Sequence, residues 1–141
     1  MSTPIRVLLI EDNPGDADLV RETLEDSRVR LDLDVACDGV EALAYLLGSP
    51  PYQDKGTPDL ILLDLNLPRL DGKEVLKRIR EHEQLRLIPV VILTSSDAES
   101  DIVKSYQLGA SCYLTKPVGL AAFQEVVRSI EGFWLTVVKL P

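Results

Sequence analysis

Apolar runs that read as strands alternate with segments of helical periodicity five times along the chain. Ile5 to Ile10 is the first run and reads as a buried strand. Asn13 and Pro14 then form an N-cap and first helical residue, because proline's fixed φ suits a first turn where its missing N–H is not needed. Ala17, Val20 and Leu24 give that helix one apolar face. Leu31, Leu33 and Val35 alternate with Asp32 and Asp34, which predicts a strand with one wet face near a sheet edge. Asp38 to Glu41 reads as a capping box ahead of Val40, Leu43, Ala44 and Leu47. Gly48 to Pro58 carries turn-forming residues and reads as a long loop. Leu60 to Leu63 is apolar throughout, as a central parallel strand buried on both faces would be. Asp71 to Glu74 is a second capping box before Val75, Leu76 and Ile79, and Val90 to Leu93 is a fourth strand. Ser96 to Glu99 reads as a third box before Ile102, Val103 and Tyr106. Cys112 to Leu114 is a short fifth strand, and Phe123, Val126, Val127 and Ile130 mark the last helix.

This alternation predicts an α/β fold: a doubly wound five-stranded parallel sheet with helices on both faces. Right-handed crossovers leave few arrangements, and the order 2-1-3-4-5 is expected. Strands 1 and 3 then flank the switch point, beyond whose carboxyl ends ligands bind. The chain has 141 residues, enough for one domain. Residues 1–132 are expected to form it, with 133–141 as an apolar C-terminal extension of the last helix.

Composition removes several function classes. A hydrophobic fraction of 45% with 27% charged residues is ordinary for a soluble globular protein. Apolar runs such as Val7 to Ile10 are far too short to span a bilayer, so no membrane partner is expected. The stretch after Arg6 meets Glu11 and Asp12 at once, so it does not read as a signal peptide. Cys37 and Cys112 are too few for a disulfide scaffold and lack metal-ligand spacing, so both read as small buried hydrophobes. These features together suggest a cytoplasmic protein. The net charge of −8 would repel a phosphate backbone, so nucleic acid is not an expected partner.

Candidate chemistry gathers at the strand ends. Strand 1 ends in Glu11-Asp12, strand 3 in Asp64, strand 4 in Thr94-Ser95 and strand 5 in Thr115-Lys116-Pro117. The expected sheet order brings these groups into one pocket. Three carboxylates within ~5 Å repel by about 3 kcal/mol per pair at an effective dielectric near 20, so a compensating cation is required. Mg2+ suits carboxylate, carbonyl and water oxygens. Asp12 and Asp64 are expected as ligands, with the backbone carbonyl of Asn66 as a third and Glu11 orienting a bound water. Such a site suits phosphoryl transfer, with Asp64 as the nucleophile, Lys116 neutralising the phosphoryl group and Thr94 bonding to it.

Glu11-Asp12, the segment Asp64-Leu65-Asn66-Leu67-Pro68 with Asp71-Gly72, Thr94-Ser95 and Lys116-Pro117 together resemble the receiver domain of two-component response regulators. The match covers Ile5 to about Gly132. The resemblance implies a flavodoxin-like fold, a phospho-acceptor at Asp64 and metal binding by Glu11, Asp12 and Asp64. It also implies a sensor histidine kinase as phosphoryl donor. Thr94 and Tyr113 would then be switch residues, the tyrosine ring turning inward as the threonine moves, and Lys116–Pro117 a cis-proline turn. Receivers catalyse only their own phosphorylation and dephosphorylation, so no separate enzymatic activity is implied. Two departures stand out. Leu67 replaces a frequent Met, and Glu11 replaces Asp, whose extra methylene favours metal contact through water. The long loop and the apolar tail resemble the single-domain regulators that serve bacterial phytochrome kinases, which implies a bacteriophytochrome as partner. No output domain is expected to follow, so the signal would leave through protein contacts or onward phosphotransfer.

Blander readings stand beside these. Single acidic residues at helix N-termini also favour the helix dipole, and Tyr113 could be simple core packing. His82 reads as a solvated helix end. Phe133, Trp134, Val137 and Val138 continue the period of Phe123, Val127 and Ile130. They form either a last helix folded on its own sheet or an exposed stripe that makes a homodimer, and Gly132 is a potential break between the two parts. A small phosphatase of the haloacid-dehalogenase type would need a second Asp at the position of Asn66. A flavin-binding module would need a hydroxyl-rich loop after strand 1.

Overall fold

The computed structural model describes residues 4–26, 29–135 and 140. Five strands form one parallel sheet in the order β2-β1-β3-β4-β5, as expected. The strands are β1 (Ile5–Ile10), β2 (Leu31–Ala36), β3 (Leu60–Leu63), β4 (Val90–Thr94) and β5 (Cys112–Thr115). The helices are α1 (Pro14–Glu25), α2 (Gly39–Leu46), α3 (Gly72–Glu81), α4 (Glu99–Gln107) and α5 (Leu120–Trp134). Val7 pairs with Leu33 on one side and Leu60 on the other, so β1 lies inside the sheet and the alternating strand β2 at its edge.

Side chains of the central strands point alternately to two cores. Leu8, Ile10, Ile61, Leu63 and Ile92 pack with α2 and α3. Val7, Leu9, Leu60, Leu62, Val91 and Leu93 pack with α1 and α5, through Val20, Leu24, Phe123 and Val127. Burial on both faces is why β3 and β4 show no polar alternation. The register also aligns the strand ends, with Ile10 beside Leu63 and Thr94 beside Thr115. The residues that follow each strand therefore share one edge.

The caps differ in detail from the pattern. Asn13 accepts from the Asp16 amide and Asp38 from the Glu41 amide, as their spacings imply. Asp71 closes a tighter turn on the Lys73 amide. The box expected at Ser96–Glu99 does not form: Ala98 is the N-cap, and the Ser96 hydroxyl donates to Asp101 at 2.5 Å. The Ser96 oxygen also accepts from the Ala98 amide at 3.4 Å, but the helix starts only at Glu99, so the cap position falls two residues beyond Ser96. Cys37 is exposed and Cys112 only partly buried, so the first does not fit the expectation of a buried small hydrophobe. Cys37 falls just beyond the end of β2, where the edge strand gives it no cover.

The α5 helix runs through Gly132 to Trp134. Trp134 packs against the core beside α5, with Phe133 edge-on to it at 5.8 Å between ring centroids. Phe133 is 53% exposed. The tail thus starts as a helix partly folded on its own sheet, while Val137 and Val138 lie outside the described residues. Among the described residues, no helix is long and apolar enough to cross a membrane.

Candidate functional site

The carboxyl edge of the sheet gathers the expected groups. Asp64 leaves β3 with its side chain buried, and three donors hold it there. The Thr94 hydroxyl donates to Oδ1 at 2.8 Å, and the Asn66 amide donates to the same oxygen at 3.1 Å. Lys116 Nζ donates to Oδ2 at 2.9 Å. Thr94 is wholly buried at the end of β4, so its hydroxyl depends on this partner. Gly72 makes the seat possible. A Cβ there would lie 2.4 Å from the Asp64 carbonyl oxygen and 2.6 Å from Leu65 Cα.

Lys116 is the cation at the centre, with only 7% of its side chain exposed. Besides Asp64 it bonds to Glu11 Oε1, and to Asp16 Oδ2 at 3.0 Å. Glu11 is buried at the end of β1 and accepts from the Asn13 amide at 3.2 Å. Burial pushes the Glu11 carboxyl up to about 7, and the Asp64 charge adds to this, while Lys116 pulls the other way. Burial would also raise Asp64, but hydrogen bonds from Lys116, Asn66 and Thr94 hold it below the ordinary carboxylate value. Burial alone would lower the Lys116 ammonium. Its bonds to Asp64 and Glu11 outweigh that and hold it above the usual lysine value.

Glu11, Asp12 and Asp64 each offer a carboxylate oxygen, and the three oxygens lie within 4.8 Å of one another. The donor set is all oxygen and carries three formal negative charges, which fits a hard divalent cation. Asp12 is exposed, so this cluster opens to solvent on one side.

A family profile described as the response regulator receiver domain matches residues 7–128. The chain belongs to the response regulator receiver family. It is 45% identical over 138 residues to the response regulator Rcp1 of Synechocystis sp. strain PCC 6803, covering 98% of this chain and 94% of that one. The crystal structure of the phosphorylated cyanobacterial phytochrome response regulator RcpA is similar with a TM-score of 0.96 at 44% identity, covering 99% of both chains. The Mn(2+)-bound form of Rcp1 gives 0.95 at 45% identity, with 98% and 99% covered. The bacteriophytochrome response regulator AtBRR gives 0.75 at 40% identity, with 98% and 100% covered. Receivers of this kind take part in two-component signalling, bind a divalent metal and are not enzymes in the usual sense.

Tyr113, expected with Thr94 to form a switch, lies next to this receiver site. Tyr113, on β5, is half-buried against the α2/α3 core, and its hydroxyl donates to the Ser96 carbonyl at 2.8 Å. Ser96 in turn meets Asp101, which pairs with Lys73 across from α3 to α4. Lys73, Asp101 and Asp16 carry no signal of these pairings in the sequence pattern, since each partner lies far along the chain. The expected cis bond at Lys116–Pro117 is not found. Among the described residues the cis X–Pro bond is Pro50–Pro51, in the long loop. A trans Lys116–Pro117 bond follows the ordinary preference of about 0.5–1 kcal/mol, and Lys116 makes its three carboxylate contacts with it. His82 caps the end of α3, and its Nδ1 accepts from the Gln84 amide at 3.2 Å, so it takes no part in the site.

Proposed function

We propose that this chain is a phosphorylatable receiver whose acceptor is Asp64 and whose donor is a sensor histidine kinase of the phytochrome type. The observation that carries this reading is the triple hold on Asp64 by Thr94, Asn66 and Lys116 beside the acidic pair. An Asp64 carboxylate oxygen attacks the phosphorus of a phosphohistidine, the O–P bond forms and the N–P bond breaks. The imidazole nitrogen leaves with the electron pair. Lys116 supplies positive charge to the phosphoryl oxygens, and Thr94 turns its hydroxyl from Asp64 to one of them. Mg2+ bound by Glu11, Asp12 and Asp64, with the Asn66 carbonyl, would neutralise further charge there when present. Movement of Thr94 changes the space beside Tyr113, and the Tyr113–Ser96 bond carries the change to α4.

The phytochrome-type donor is supported by the similarity to the phytochrome response regulators RcpA and AtBRR. Pairing with a second copy is supported by the exposed ring of Phe133. Incubation with acetyl phosphate and Mg2+ tests the core of the reading. Labelling of the wild type and its loss in Asp64→Ala are expected, and equal labelling of the two would overturn the assignment. Solution mass with and without beryllofluoride tests the pairing, a single unchanged monomer mass counting against it.

A further inference from the structure

Lys116 and the acidic cluster make conflicting demands on the same atoms. The ammonium bonds to Glu11 and to Asp64, and both residues also belong to the set that would hold a divalent cation. A dication seated there would repel the ammonium while drawing electron density from the two carboxylates it relies on. Asp16 is the one Lys116 partner outside that set. It lies in the first turn of α1, 3.0 Å from Nζ, with about a third of its side chain exposed. Acidic residues in a first helical turn are common for dipole reasons alone. The direct ion pair to a nearly buried lysine from a different end of the chain is what sets Asp16 apart.

We infer that Asp16 is a positioning residue that anchors Lys116 while Glu11 and Asp64 are given over to the divalent cation. The inference rests on the receiver reading of the site, and it concerns this chain's own lysine. With Asp16 present, Lys116 keeps one full counter-charge as its other two are shared, and it stays beside Asp64 ready for a phosphoryl group. Without Asp16, the lysine holds Glu11 and Asp64 more tightly and competes with the cation for them.

Isothermal titration with Mg2+ in the full chain tests this through a double-mutant cycle. Asp16→Asn is expected to weaken Mg2+ binding about tenfold, the scale of one charge-assisted hydrogen bond. In the Lys116→Met background the same substitution is expected to change affinity by less than about twofold, because no lysine remains to be anchored. Asp16→Glu, which restores a carboxylate, is expected to recover most of the affinity. Equal weakening in both backgrounds would mean that Asp16 acts only through its field, and no weakening in either would mean that its role is structural. Both results overturn the inference. Asp12→Asn serves as the separate control on the site itself: if it leaves Mg2+ affinity unchanged, the metal site is misplaced irrespective of Asp16.

Discussion

Replacing Lys116 with Met removes the cation that three carboxylates share, while keeping a similar length of apolar stem. Its bond to Asp64 Oδ2 at 2.9 Å corresponds to a gross attraction of about 6 kcal/mol at an effective dielectric of 20. Much of that is offset by taking the ammonium out of water, since its side chain is almost buried. What the substitution leaves behind matters more. Carboxylate oxygens of Glu11 and Asp64 lie within 4.8 Å of one another and, where both are ionised, would repel by about 3.5 kcal/mol, a cost that Glu11 escapes near neutral pH only by binding a proton above its ordinary range. Breaking a buried ion pair by removing one partner costs about 3–5 kcal/mol, which agrees with that figure. Urea unfolding of wild type and Lys116→Met in a chelator is therefore expected to differ by about 3–4 kcal/mol. Saturating Mg2+ replaces the missing charge. At about 100 times its Kd it stabilises by about 2.7 kcal/mol and should close most of the gap. Wild type should gain less, because its lysine already balances the same oxygens. A gap under about 1 kcal/mol in chelator, or one that Mg2+ does not narrow, would refute the charge account of the site.

Two further perturbations address other parts of the molecule. The Tyr45 phenol is pushed up to about 12 by burial and by its hydrogen bond to Asp34, against the opposing charge of Arg6. Its folded value is raised, so its contribution is complete below pH ~10 and is lost as pH rises towards 12, which amounts to about 2–3 kcal/mol. Unfolding curves of wild type should therefore fall more steeply than those of Tyr45→Phe over that window, and parallel curves would remove the claim. Gly72→Ala would drive a Cβ into the Asp64 carbonyl and Leu65 backbone. A loss of about 1–3 kcal/mol is expected, together with weaker labelling by acetyl phosphate. Unchanged stability and labelling would show that the β3–α3 turn yields without disturbing Asp64.

How far each feature could be read from sequence depends on how local its cause is. The apolar runs at Leu60–Leu63 and Val90–Leu93 revealed central strands because burial on both faces leaves no room for alternation. Asp64, Thr94 and Lys116 were legible for a related reason. Each lies at or just beyond the carboxyl end of a strand, and a parallel sheet brings such positions together once its order is known. Asp16 was missed because an acidic residue in a first helical turn has an adequate local explanation, and its partner Lys116 is 100 residues away. Lys73 and Asp101 were missed likewise, each suiting its own helix while their pairing spans 28 residues. Ser96 misled in the opposite sense. Its spacing to Glu99 fits a capping box, but the helix starts only at Glu99 with Ala98 as its cap, and the Ser96 hydroxyl donates to Asp101 inside it. The isomer of the Lys116–Pro117 bond had no sequence signal of its own and was inferred only from likeness.

The same non-local charges explain why Glu11 and Asp64 differ although both are buried carboxylates at strand ends. Asp64 receives bonds from Thr94, Asn66 and Lys116 and is held ionised. Glu11 receives the Asn13 amide and shares Lys116, and burial wins, so its carboxyl is raised to about 7. A phosphoryl acceptor has to present a charged oxygen, because a protonated acid is a poor nucleophile. The fold thus keeps the proton away from Asp64 and leaves Glu11 as the group that can take one up when no cation is present. With a cation bound, both carboxylates are expected to be ionised, so binding should release protons near neutral pH. The lysine and the metal are therefore alternative ways of balancing one set of oxygens. On the proposed receiver reading, the number of positive charges at the carboxyl edge, more than any single contact, would set whether Asp64 is ready to accept phosphate.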